Sequence, residues 1–466
     1  MQAVATQPVV ERRALAGAAW PGGVCLAVAV VSLVLPATLA FDPWAWLVWG
    51  REVAHLDLDT TGGPSWKPLP VVVTTVLSVS GGLAPTLWLV VARTLGLLGL
   101  VFAYRLAARF SGRVGGIVAA ALLLLTPDGG PRFLRLLAEG HSAPVEAALC
   151  LWAIERHLDG RRAHALLLGT AVALLRPEIW PFLVVYAAWL WRQDAVHRRL
   201  VAVLLAAVPL LWFGGDLWGS GDAWHGADAA QVVSGDVVDR TGLALRRVAN
   251  VVVLPAWAMA VVALVSARRR GEATPLALAG GAVAWLALVA AMSVGLGYAA
   301  LSRFLLPAAA LLCVLAGVGV VRALAAVPPD RVGRILAAGL VALGVVAVLP
   351  RVVALETLAG DVRTRARLES DLERVVDQVG GPDAVLACGG IAVDRSDVPR
   401  MALAWRLDVP LSHVPPRLGD GPGVVFARVG SRRDVLLSGE PSSEVATLAR
   451  SAEWVAYAVG CQPALR

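Results

Sequence analysis

Charge is scarce in this sequence. Asp, Glu, Lys and Arg make up 16% of its 466 residues against 58% hydrophobic ones, and the mean hydropathy is +0.71. Soluble domains carry roughly a quarter charged residues, so a water-soluble chain is excluded and the apolar excess must face lipid. Lysine is almost missing: Lys67 stands alone among 41 basic residues. The arginine bias, with abundant Ala, Gly and Val, looks like a GC-rich coding sequence. A net charge of +7 would suggest nucleic acid for a soluble protein. Here the arginines gather between apolar runs, where they act as topology determinants, and nucleic acid is not an expected partner. Cysteine is sparse too, with five residues and no CxxC or CxxxxC metal spacing. There is no Gly-rich phosphate loop and no evident internal repeat of the kind that marks many transporters.

What is present is a series of apolar runs. A bilayer span needs about 20 apolar residues. Runs near 20–40, 84–108, 113–127, 143–158, 163–176, 178–192, 199–214, 248–267, 275–297, 300–322 and 333–350 meet or approach that length. The shorter ones would have to be tilted or re-entrant. Arg12/Arg13 precede the first run without a clean cleavage site after it, which reads as an uncleaved first span. Arg12/Arg13, Arg105/Arg109/Arg113, Arg156/Arg161/Arg162, Arg192/Arg198/Arg199, Arg268/Arg269/Arg270 and Arg322/Arg331/Arg334 fall in alternate loops. That phase places the N-terminus in the cytoplasm of a multi-pass plasma-membrane protein. Segments 41–83, 128–142, about 215–247 and the tail from about 351 then face outward.

Residues 351–466 change character. A charged helical pattern at 361–378 is followed by the short apolar strand Val385-Leu386-Ala387, a helix-like 398–407 and strand-like Val424-Val425-Phe426-Ala427. A helix near 443–452 and Trp454-Val455-Ala456-Tyr457 complete the tail. The expected fold is therefore an all-α polytopic domain, 1–350, followed by a small extracytoplasmic α/β domain, 351–466. Cys25, Cys150 and Cys313 lie in apolar runs as small buried thiols. Cys388 and Cys461 lie in the tail, where the compartment permits a disulfide without requiring one.

The first outer segment carries the most chemistry. Phe41-Asp42-Pro43-Trp44-Ala45-Trp46-Leu47-Val48-Trp49-Gly50-Arg51-Glu52 leads through Asp57 and Asp59 to Ser65-Trp66-Lys67-Pro68-Leu69-Pro70. A carboxylate thus ends the first span and the lone ammonium precedes the next apolar stretch. A structural reading also exists, in which the tryptophans form an interfacial belt and Asp42 caps a helix begun by Pro43. That reading leaves Arg51-Glu52 and Lys67 without a role.

These residues resemble the first outer loop of the GT-C glycosyltransferases, in the branch of the protein O-mannosyltransferases and the aminoarabinose transferase of lipid A. There an acidic residue follows span one and a Lys-Pro-Pro-Leu-like motif ends the loop. Here Leu69 stands where the second Pro is usual, and Pro43 where an Asp-Glu pair has its second acid. The resemblance implies Asp42 as the catalytic residue, general base or acceptor-orienting, and Lys67 as ligand of the phosphate of a polyprenyl-phosphate sugar. It implies a GT-C-like transmembrane fold as well.

The residue types suit that chemistry independently. A phosphate-linked sugar has a good leaving group, so the enzyme must deprotonate a hydroxyl and neutralise phosphate charge. Arg176-Pro177-Glu178 is either a tight turn with an internal ion pair or a charged pair lining a cavity. Arg303, in Ser302-Arg303-Phe304 after Tyr298, either snorkels to headgroups or contacts a donor phosphate. The spacing from Tyr298 to Arg303-Phe304-Leu305 and Pro307 is similar to a pattern of the same transferases, as is Arg-Pro-Glu. Further cavity candidates are Arg51, Glu52, Glu139, His141, Glu178, Asp222 and Tyr298, with Ser142 as a helix cap beside Glu139 and His141. The Gly, Asp and Trp-rich stretch 214–225 is a flexible turn or an acceptor loop in which Trp218 or Trp224 stacks on sugar. Asp57 and Asp59 have a DxD spacing that could hold a divalent metal but is common in loops; the expectation is no cofactor, with a divalent metal there as the lesser alternative.

The expected function is a membrane glycosyltransferase that moves a sugar of the mannose or arabinose class. The donor is a polyprenyl-phosphate sugar and the acceptor a glycan, glycolipid or protein hydroxyl outside the bilayer. A transporter or lipid flippase is the alternative. It would show charges in mid-span, where Arg93 is the main example.

Overall fold

A computed structural model of the chain describes residues 20–127, 132–231, 235–299, 301–394, 397–439 and 445–461. Arg12 and Arg13 lie outside them. The chain forms two compact units. One comprises Met1–Leu35, Leu89–Val208 and Gln231–Leu358; the other comprises Pro36–Trp88, Pro209–Ala230 and Ala359–Arg466.

The apolar runs are helices, because lipid offers backbone N–H and C=O groups no partner and the helix satisfies them internally. Helix α1 is Trp20–Val34. It is followed by α2 (Phe41–His55), α3 (Pro68–Ser78), α4 (Ala84–Leu124), α5 (Arg132–Ala138), α6 (Ser142–Leu158), α7 (Arg162–Ala173), α8 (Trp180–Gln193) and α9 (Arg198–Ser220). Then come α10 (His225–Ala229), α11 (Val237–Ala249), α12 (Leu254–Arg270), α13 (Ala273–Leu296), α14 (Leu306–Ala325) and α15 (Arg331–Val379). Among the described residues, five helical stretches are long and apolar enough to cross a bilayer: Gly81–Leu124, Ala195–Ser220, Ala273–Leu296, Ser302–Ala325 and Arg331–Val379. A sixth joins them if α11 and α12, bent by 74°, count as one. The expected spans at 143–158, 163–176 and 178–192 appear as α6, α7 and α8, of 17, 12 and 14 residues.

In the first unit α4 is a hairpin. Gly112 leaves the helix with φ 70° and ψ −171°, a left-handed φ that glycine tolerates. A Cβ on Gly116 would stand 2.6 Å from the Tyr104 ring. Twelve residues of straight helix would separate them by about 18 Å, so the arms lie side by side. The two runs 84–108 and 113–127 are its arms. Helix α14 is buried along nearly its whole length. A Cβ on Gly319 would fall 1.8 Å from the Met259 carbonyl of α12, and one on Gly317 2.3 Å from that of Gly115. Such small residues let helix backbones touch where no hydrophobic effect drives association.

The arginine clusters of like phase meet. Arg105 Nε pairs with Glu155 at 2.7 Å, Arg156 with Glu155 at 3.0 Å and Asp159 at 2.8 Å, and Arg109 also pairs with Asp159. Arg322 reaches Glu272 and donates to Ser266 Oγ at 2.8 Å. The other phase gathers separately: Arg132 donates to the Ser302 carbonyl at 3.2 Å and Arg247 to that of Ala299 at 2.5 Å. Arg93, the mid-span exception, bonds Ser32 Oγ and the Ala138 carbonyl, each at 2.8 Å.

The second unit holds α2, α3, α10 and a small α/β element. Its strands β1 (Gly390–Val393), β2 (Gly423–Arg428), β3 (Val445–Arg450) and β4 (Trp454–Val459) form one sheet of order β1-β2-β4-β3. Strands β1 and β2 are parallel, and β4 is antiparallel to both β2 and β3. Helices α16 (Pro382–Leu386), α17 (Asp397–Leu407) and α18 (Arg432–Gly439) flank the strands in sequence. Two expectations are corrected. Val385-Leu386 lie in α16, where Pro382 in the first turn favours a helix start. The helix expected near 443–452 is β3, because five residues there pair with β4 and the ladder outweighs local propensity. Cys388 and Cys461 form a disulfide with a Cα–Cα distance of 5.8 Å. The sheet is anchored on α15: Trp454 Nε1 donates to the Leu368 carbonyl at 3.0 Å and the Glu453 amide to Asp371 at 2.8 Å.

Candidate active site

Asp42 and Lys67 are brought together by the packing of two helix starts. Helix α2 begins at Phe41 after an extended Ala40, so Asp42 lies in the first turn and is not the cap expected from Pro43. A carboxylate there is favoured by the helix dipole. Lys67 precedes proline, which holds it extended (φ −142°, ψ 110°) ahead of α3. The two helices pack at Gly50, where a Cβ would be 2.4 Å from Thr74 Oγ1. Thr74 in turn donates to the Trp46 carbonyl at 2.5 Å. With the helices so locked, Lys67 Nζ lies 2.8 Å from Asp42 Oδ2, and the two residues are 5% and 3% exposed. The ammonium also stands 5.0 Å from the Trp46 ring centroid, and Trp46 meets Trp88 edge-on at 5.4 Å. A buried pair on an aromatic floor has an ammonium to hold an anion and a carboxylate to take a proton.

The surrounding segments hold this pair in place. Trp66, next to Lys67, lies on Gly215, where a Cβ would be 2.3 Å from the indole, and its Nε1 donates to the Leu211 carbonyl at 3.1 Å. Trp49 packs on Trp66 at 5.8 Å and donates to the Asp59 carbonyl at 2.8 Å. Thr38 Oγ1 donates to Glu369 at 2.6 Å, and the Trp44 indole N–H reaches the same oxygen at 3.5 Å. Glu369 therefore bonds on either side of Asp42 in sequence, a role the sequence reading missed. Asp216, also missed, is buried and accepts from the Gly226 amide at 3.0 Å.

Other residues singled out from the sequence have local partners. Arg51 pairs with Asp408 at 2.8 Å, donates to the carbonyls of Trp405 and Val409, and lies over the Trp405 ring. Asp222 is on an exposed turn, accepting from the Trp224 amide at 2.9 Å. Asp59 accepts from Ser412 and from the amide and hydroxyl of Thr61. Burial pushes its carboxyl up, but those hydrogen bonds outweigh it and hold the pKa below the usual value. Among the described residues, no group of three His, Cys, Asp or Glu is set to hold a metal ion.

Glu52 is buried, with Oε2 accepting from the Asp59 amide at 2.9 Å. Burial raises its pKa from 4.5 to about 8, further helped by Asp59 and Asp57 and opposed by the Asp59 amide and Arg51. The folded protein thus favours the protonated acid. Its contribution to stability is complete below the unfolded pKa and is lost as pH rises through about 8. Glu52→Gln should flatten that part of the stability profile, worth about 1–3 kcal/mol over the window. Thermal unfolding of both proteins across this range checks it, and parallel curves would reject the assignment.

The first unit holds a second buried cluster. Arg176 precedes a turn at Pro177–Ile179, and its guanidinium lies 3.5 Å from Glu146 and 3.8 Å from Glu178. Tyr298 donates to Glu178 at 2.9 Å. The Phe304 ring lies 3.8 Å from the Arg176 guanidinium and 5.5 Å from that of Arg303. Glu139 and His141 approach each other at 3.7 Å, and Ser142, expected as a cap, is the first residue of α6 after His141. Arg176, Glu178 and Tyr298 are therefore assembled as a group. Glu146, which completes it, was overlooked, although a lone carboxylate in an apolar run is itself a signal.

No protein-family model and no curated protein sequence matches the chain. Solved structures do. One is ArnT from Cupriavidus metallidurans bound to undecaprenyl phosphate, with a TM-score of 0.57 and 16% identity, covering 95% of this chain and 98% of that one. The same ArnT in the apo state gives 0.56 and 16%, covering 96% and 99%. This chain shares the ArnT fold. The likeness extends over nearly the whole length of both proteins.

Proposed function

We propose that the protein is a membrane glycosyltransferase of the GT-C type that takes its sugar from a polyprenyl-phosphate donor. The observation that carries this reading is the buried Asp42–Lys67 pair, at the positions where the sequence resembles the first outer loop of these enzymes. The ArnT structure bound to undecaprenyl phosphate supports the donor class. The acceptor is a hydroxyl of a glycan, glycolipid or protein, and the sugar is of the mannose or arabinose class.

The chemistry follows from the charges. The acceptor oxygen bonds to the anomeric carbon while the bond from that carbon to the phosphate oxygen breaks, and the electron pair leaves with the phosphate. Asp42 takes the hydroxyl proton. The phosphate gains a negative charge as it leaves, so cations set in advance stabilise the transition state more than the ground state. Lys67 is the first such cation, with Arg176 and Arg303 as further ligands. A phosphate that draws Lys67 from Asp42 also frees the carboxylate to act as base, which couples donor binding to activation of the acceptor.

The reaction belongs on the outer face, since the arginine phase puts Asp42, Lys67, Arg176 and Arg303 there. Thr61→Cys, in an exposed part of the first outer loop, should react with an impermeant thiol reagent added outside intact cells. Labelling that requires opened membranes would invert the topology. The function is tested with the full-length protein in vesicles supplied with radiolabelled polyprenyl-phosphate mannose or arabinose and hydroxyl acceptors. A covalently glycosylated product is expected. Label that crosses the bilayer with its lipid and forms no new glycosidic bond would identify a flippase instead.

A further inference from the structure

Helix α11 contributes no side chain to the two clusters described above. Wound at 3.6 residues per turn, Val237-Val238-Asp239-Arg240-Thr241-Gly242-Leu243-Ala244-Leu245-Arg246-Arg247-Val248-Ala249 separates into two faces. Val237, Val238, Thr241, Leu245 and Val248 share one stripe. Arg240 and Arg247 flank it on one side and Arg246 on the other, while Leu243 and Asp239 lie nearest the opposite pole. Val237, Val238 and Leu245 are 57%, 76% and 63% exposed, whereas Ala244 at the stripe's margin is buried.

The helix runs across the spans. It packs against α13 and is bent by 74° from α12, which lies along the buried α14. At the bend the Trp257 indole donates to the Ala249 carbonyl at 3.3 Å, and tryptophan is enriched at headgroup level. Three large aliphatics in water would be an unrelieved cost, and a protein partner would have to bring carboxylates to both margins. A bilayer surface supplies acyl chains beneath the stripe and phosphates along both edges, where arginine heads reach by snorkelling.

We propose that α11 is a lipid-surface contact. Its Val237, Val238 and Leu245 stripe seats at the boundary between headgroups and acyl chains, and Arg240 and Arg246 take the phosphates of anionic lipids. Arg247 is already turned inward, donating to the Ala299 carbonyl at 2.5 Å. The next residue back, Tyr298, binds Glu178. Seating of α11 therefore steadies the segment that carries Tyr298. The proposal stands apart from the transferase reading, because its test reads position and not turnover.

The test uses the full chain with Cys25, Cys150 and Cys313 changed to Ala. Nitroxide labels go on Val238→Cys, Leu245→Cys and Asp239→Cys, in vesicles of phosphatidylcholine alone or mixed with phosphatidylglycerol. Labels at 238 and 245 should collide with oxygen in preference to an aqueous nickel chelate, with the order reversed at 239. Phosphatidylglycerol should strengthen the contrast, and Arg240→Gln with Arg246→Gln should abolish that gain. Equal access of the chelate to 238 and 239 would place α11 in water and overturn the proposal. A contrast indifferent to phosphatidylglycerol would also overturn it, leaving an ordinary lipid-facing helix. So would labels at 238 and 245 shielded from both reagents, which would show a second protein covering the stripe.

Discussion

Asp42→Asn should lower sugar transfer by roughly 10²–10⁴-fold, the usual worth of a positioned general base. The amide keeps the size of the side chain and a hydrogen-bonding oxygen for Lys67, but it cannot take the acceptor proton. Breaking a buried pair has a second consequence, because the remaining charge loses its compensation at a cost of about 3–5 kcal/mol. Loss of activity and loss of folding must therefore be separated. Asp42→Leu combined with Lys67→Met removes both charges and fills the space with apolar atoms, which restores much of the stability of a single deletion. The expected result is a double variant that melts near the wild type and transfers no sugar, while Lys67→Met alone melts low. Transfer regained in the double variant, measured with radiolabelled donor in membranes, would remove Asp42 and Lys67 from the mechanism.

Arg176→Leu is expected to destabilise the protein by about 3–5 kcal/mol. One guanidinium lies between two carboxylates, Glu146 and Glu178, with both oxygens of Glu146 shielded from solvent. Leucine would withdraw that cation while the acids stay in a low-dielectric interior, where ionised groups are costly. Adding Glu146→Gln and Glu178→Gln to Arg176→Leu should recover a large part of the loss, since neutral amides need no counter-charge. Thermal unfolding in detergent, followed by near-ultraviolet circular dichroism, reads both steps. An Arg176→Leu protein that melts with the wild type would show that the cluster is solvated and its charges weakly coupled.

Several of these features are legible along the chain because their cause is local. A run of apolar residues becomes helix wherever lipid denies the backbone other partners, and Gly112 breaks α4 between Arg109 and Arg113, as the charges suggest. The alternation of arginine clusters anticipates which loop residues meet, Arg105 with Glu155 at one set and Arg132 with Ser302 at the other. Asp42 and Lys67 can be picked out because each is a charge at the edge of an apolar run, and Lys67 is the single lysine.

What the sequence by itself determined is thus a polytopic helical membrane protein with a small sheet-bearing tail and a short set of charged residues worth testing. Tertiary structure alone decided the partners. Glu369 comes to Thr38 across 331 residues and Ser412 to Asp59 across 353. Glu146 joins Arg176, Cys388 closes on Cys461, and 445–450 becomes a strand because β4 is beside it. Hydropathy acts within one turn or one span. A buried charge, a thiol or a strand edge is satisfied by whatever the fold brings near, and nothing in the local sequence names that partner.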